Sequence, residues 1–151
     1  MNRKLILSLN FPLTIIIFML FTKWWIVDIV DGTDGIMYGF PFIYKSPAFY
    51  TSTAEKYFLI ELIADLSIYF GVIVGMTYFI NRFIFVIKIK KIISIFLFFF
   101  AFILISLELL LAIMPENKMS LKRDFDFKTK ETGFKFLFYY DENERFNNYH
   151  K

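Results

Sequence analysis

Apolar and polar positions fall along this chain in long blocks. Leu5 to Phe21 is apolar apart from Ser8, Asn10 and Thr14, and Lys23, Trp24 and Trp25 close it. Tyr57 to Ile80 is almost wholly apolar, yet it carries Glu61 and Asp65 one helical turn apart. Ile92 to Met114 forms the third block, and Pro115 ends it because proline cannot continue the backbone ladder. A helix needs about 20 apolar residues to cross the hydrocarbon core. The three blocks therefore predict membrane helices near 5–27, 53–81 and 92–114. Pro12 predicts a bend in the first, and Trp24 and Trp25 fit an aromatic belt at its outer end. A basic start with Arg3 and Lys4 also suits a signal peptide. The apolar run is long for one, and no small-x-small cleavage pattern follows, so a retained span is the expectation.

The connecting segments carry different patterns. An outer loop over 28–52 is crowded with turn signals, among them Asp31-Gly32, Asp34-Gly35, Phe40-Pro41 and Ser46-Pro47. It also holds Tyr38, Phe40, Phe42, Tyr44, Phe49 and Tyr50, too many aromatics for a solvated linker. Ser52-x-x-Glu55 reads as a capping box opening the second helix. Residues 81–91 hold Arg82, Lys88, Lys90 and Lys91. After Pro115 the period changes: Asp124 to Lys128 alternates polar and apolar, as do the residues around Phe134, Phe136, Phe138 and Tyr140. Thr132-Gly133 and Asp141 to Glu144 read as turns, with a third strand near 145–149. A tail over 115–151 of short strands cannot bury enough surface to stand alone. It is expected to lean on the outer loop, on lipid or on a partner.

Composition narrows the function classes. A chain that is 58% hydrophobic leaves no room for a sizeable soluble core beside its three apolar runs. The absence of Cys excludes disulfides and thiolate metal sites, and the single His, His150, excludes a multi-His site within one chain. A net charge of +3 is too small to argue for nucleic acid. Its placement matters more. The N-terminus and the 81–91 loop are basic, whereas the first loop carries Asp28, Asp31, Asp34 and Glu55 against Lys45 and Lys56. By the positive-inside rule the N-terminus and basic loop face the cytoplasm, and the aromatic loop and tail share the outer side.

The candidate chemistry lies in the helices. Counted at 1.5 Å per residue, Glu61 and Asp65 lie about 6 and 12 Å below the outer end of the second helix, and Glu108 about 9 Å below that of the third. Lys23 lies about 6 Å from the outer end of the first. A charge at mid-bilayer costs about 2.5–3.5 kcal/mol on insertion scales, so such groups persist when paired, hydrated or used. One reading gives Glu61, Asp65 and Glu108 to protons or cations. The other has Lys23 pair one acid while the rest hold helices or subunits together. Helix packing is expected at Gly71-x-x-x-Gly75, which lies close to Glu61 on the wheel, and along a seam of Ser94, Ala101, Glu108 and Ala112. Asp28, Asp31 and Asp34 recur every three residues, unlike a calcium loop. No nucleophile elbow, phosphate loop or His-Glu metal motif is present, so no catalytic residue and no cofactor are expected.

The run Tyr38-Gly39-Phe40-Pro41-Phe42, followed by aromatics and an apolar helix, resembles a group of small bacterial membrane proteins. Those share a Gly-Phe-Pro-Phe loop between their first two spans. The resemblance covers roughly residues 5–80 and implies no catalytic residues. Taken together, the expectation is a membrane α-helical protein with three transmembrane helices and a small β-rich C-terminal extracytoplasmic cap. Its place is a bacterial inner membrane, its neighbours lipid and other subunits or further copies. Its expected role is an accessory or scaffold subunit, with a proton- or cation-coupled transport or motor component as the alternative.

Overall fold

The computed structural model describes residues 5–29, 35–48, 54–123 and 127–136. Its first helix opens with a π-helical turn, Ile6–Asn10, and continues as α1, Phe11–Leu20. Pro12 explains the join. Proline has no N–H to give Ser8, four residues back. The Ser8 carbonyl instead accepts the Ser94 hydroxyl at 3.0 Å, and Phe11 N–H reaches back five residues to Ile6. The disturbed turn thus becomes a contact between helices.

α1 ends at Leu20, earlier than expected. Phe21–Ile29 is strand β1, rich in the β-branched and aromatic residues that favour a pleated surface. The Trp pair belongs to this strand and not to a helix end. From Ile6 to Leu20 the helical stretch is about 22 Å long, short of the roughly 30 Å hydrocarbon core. Two other helices are long and apolar enough to cross a membrane: α2, Leu59–Phe83, and α3, Lys91–Ala112.

The remaining strands are β2, Gly35–Tyr38; β3, Lys45–Pro47; β4, Glu55–Phe58; β5, Lys118–Ser120; and β6, Phe127–Phe136. They join β1 in one six-stranded sheet of order β5-β4-β3-β2-β1-β6. Only β4 and β5 pair parallel. The β structure is therefore not a C-terminal cap alone, since four of its six strands precede α2. The outer loop supplies the middle of the sheet and the tail supplies its two edges. That sharing answers the physical objection to a free-standing tail of short strands.

Two further expectations change. Thr132-Gly133 is no turn: β6 runs through it, with Thr132 opposite Trp25 and Gly133 opposite Trp24. The long ladder to β1 outweighs the local turn signal. Glu55 opens no helix, because α2 starts at Leu59 and Glu55 lies in β4. The strand near 145–149, and Asp31, Asp34, Ser52 and His150, lie outside the described residues.

The core sits where helices meet sheet. Phe18 stacks on Tyr44 at 5.1 Å and meets the edge of Tyr69 at 5.4 Å, tying α1 to the loop before β3 and to α2. Met37, Ile43, Tyr57 and Phe58 are also buried. Away from the sheet the outer surfaces of α2 and α3 are bare Phe, Ile and Leu. α1 packs against both long helices, which scarcely touch one another.

Candidate functional site

The carboxylates of the helices are gathered at the sheet end, where each reaches into a different part of the chain. Asp65, two turns into α2, is fully buried. Its Oδ2 accepts the Phe40 N–H and its Oδ1 the Phe42 N–H, both at 2.9 Å. One carboxylate thereby clasps the tight turn of the Gly-Phe-Pro-Phe run and satisfies two backbone donors that burial would otherwise strand. The turn has its own requirement at Gly39, whose φ is +139°. A side chain there would be strained and would run into the Phe42 carbonyl oxygen.

Glu61, one turn nearer the sheet, binds the start of the tail. Its Oε1 accepts the Arg123 N–H at 3.2 Å, while the adjacent Ile60 N–H donates to the Leu121 carbonyl at 3.1 Å. The first turn of a helix has unused N–H donors, and residues 121–123 supply one of them with an acceptor. Glu61 Oε2 is buried without a partner.

Glu108 lies about one turn from the end of α3 and belongs to a third group. Lys45 Nζ of β3 sits 2.7 Å from Glu55 Oε2 and 3.3 Å from Glu108 Oε1. The Tyr57 hydroxyl reaches the same two carboxylates, at 2.9 Å and 3.1 Å. The Lys45 ammonium also lies 5.2 Å from the centre of the Tyr57 ring and 5.9 Å from that of Tyr38. Burial, then the charges of Glu108 and Glu55, push the Tyr57 phenol well above its ordinary value, so it acts as a donor. This four-residue knot ties α3 to two strands.

The carboxylates expected at one polar junction are thus divided among three. Lys23 is in β1, with its backbone opposite Phe134, and its side chain lies outside the described residues. Among the described residues, the cation that meets a helix acid is Lys45. Sequence reading missed it because it stands in an aromatic loop whose path was not legible. The seam on α3 points inward: the Ser94 hydroxyl bonds Ser8, Ala101 is buried, and Glu108 and Ala112 border a cavity against β4. Gly71 and Gly75 do the opposite. Nothing lies within 4 Å of the place where either side chain would stand. They face away from this chain's own helices.

A polar contact deeper in the helices was also missed. The Thr77 hydroxyl of α2 donates to Asn10 Oδ1 at 3.0 Å, and Thr14 bonds the Asn10 carbonyl at 2.7 Å. Asn10 is fully buried and its Nδ2 has no partner. Its signal was an amide inside an apolar run, two residues before a proline. Among the described residues no cluster of acids or His has the makings of a metal site. Comparison with family models, curated proteins and solved structures finds no match.

Proposed function

We propose that this chain is a membrane scaffold, an accessory subunit of a bacterial inner-membrane assembly whose helices hold a sheet against the outer face. The observation that carries this reading is the employment of the helix acids. Asp65 holds the 40–42 turn, Glu61 holds residues 121–123, and Glu108 holds Lys45 and Tyr57. Each spans a joint between helix and sheet. A proton or cation path through the same acids is less well supported, since each acid is engaged by a different part of the chain.

The orientation rests on charge. Arg82, Lys88, Lys90 and Lys91 gather at the end of the helices far from the sheet. This favours a cytoplasmic position for that end and an outer position for the sheet. The docking face is the bare side of α2 at Gly71 and Gly75, where a partner helix could approach closely.

The double substitution Gly71→Leu, Gly75→Leu tests this reading. Both positions have open space, so the chain itself tolerates the larger groups, and leucine is the better helix former. Extraction in mild detergent followed by native mass measurement should give a complex for the wild type. The variant should give the lone 18.1 kDa chain with an unchanged melting temperature. A wild-type protein that runs only as the 18.1 kDa chain would defeat the scaffold reading.

A further inference from the structure

α1 forms the floor of a cleft between α2 and α3. Its deeper part is a cavity of about 510 Å³ walled by Phe11, Ile15, Leu66 and Phe70. Its upper part, about 260 Å³, runs to Tyr57, Glu108 and Met119 at the sheet. The two parts share Phe18, Met19, Leu62 and Ile105 as walls. One end of this apolar cleft therefore finishes at the Lys45 knot.

Size argues against a spanning helix as the occupant. A helix is about 10 Å across with its side chains and rises 5.4 Å per turn, so each turn fills roughly 400 Å³. The enclosed part of the cleft is too small to take a helix whole. A hydrocarbon chain is thin enough to lie in it. Charge then selects the head of that chain. The knot has two carboxylates against one ammonium. Its exposed members are the acids: Glu55 and Glu108 side chains are 32% and 30% exposed, whereas Lys45 is 13% exposed. Glu108, on the cleft wall, lies about 6 Å from the end of α3, close to the level of lipid headgroups.

We propose that this cleft binds one phospholipid with a primary ammonium head, its acyl chain between α2 and α3 and its ammonium on Glu108. The ammonium can donate hydrogen bonds to a carboxylate already shared with Lys45 and Tyr57. A trimethylated head cannot donate, and an anionic head would meet Glu55 and Glu108 unfavourably.

The full chain, stripped of lipid in detergent, is incubated separately with dioleoyl phosphatidylethanolamine, phosphatidylcholine and phosphatidylglycerol. Bound lipid is counted by native mass spectrometry. Phosphatidylethanolamine should give one adduct at several-fold higher occupancy than the other two. Glu108→Gln should reduce that preference several-fold, with Lys45 still paired to Glu55. Ile105→Trp should lower occupancy by every lipid by filling the neck where the two cavities meet. Equal occupancy by all three lipids would mean bulk lipid filling only and would overturn the proposal. So would phosphatidylethanolamine occupancy that is unchanged in Ile105→Trp. The wild-type comparison decides even if one variant fails to fold, and it does not depend on whether the chain has a protein partner.

Discussion

Asp65 and Tyr57 illustrate how single side chains hold this molecule together. Asp65 is a buried carboxylate whose described partners are the two backbone N–H groups of Phe40 and Phe42. Asp65→Ala leaves both donors buried and unpaired, which should cost about 3 kcal/mol. Asp65→Asn keeps the shape but turns a donor toward an N–H, so it should recover only part of that loss. Unfolding by denaturant in detergent measures both. Wild-type stability in Asp65→Ala would show that the turn needs no clasp. Tyr57 is tested by alkali. Its phenol is raised in the folded chain by burial and by Glu108 and Glu55. Its contribution is therefore complete below about pH 10 and is lost as pH rises. In a tyrosinate absorbance titration, Tyr57→Phe should remove no signal before the protein unfolds. Loss of one tyrosine's signal near pH 10 in the folded protein would contradict the shift.

Elements were legible where one signal decided them. α2 and α3 follow from predominantly apolar runs of spanning length, and Lys90-Lys91 and Pro115 mark the ends of α3 closely. The join of α1 and β1 was not legible. Apolar character continues from Leu20 through Trp24, Trp25, Ile26 and Val27, and length alone favoured one long helix. What decides it is long-range: β1 is paired by β2 on one side and β6 on the other. The acids show the same division. That Glu61, Asp65 and Glu108 sit near one end of the helices could be read by counting residues. Which backbone or side chain each one meets depends on contacts across 23 to 63 residues and could not. That Pro12 would disturb the first helix was legible, but not that the disturbance takes the form of a π-turn bonded to Ser94. If the freed Ser8 carbonyl is what Ser94 binds, Ser94→Ala should cost about 1 kcal/mol. In a Pro12→Ala background, residue 12 can donate to that carbonyl, so the same change should cost less. A double-mutant cycle reads the coupling, and strict additivity would break the link.

At the scale of the whole molecule, the two long helices carry the sheet at one end and a basic segment at the other. The four strands that precede the long helices form the middle of the sheet, and the two strands of the tail add its edges. The account stands on those helices crossing a bilayer. The chain has no cysteine, so single substitutions give clean labels. Lys88→Cys, between the long helices, and Lys118→Cys, on β5, both replace exposed residues. In sealed, oriented membranes a membrane-impermeant thiol reagent should label Cys at 118 from outside, and Cys at 88 only after the membrane is opened. Labelling of both positions from the same side would contradict the account.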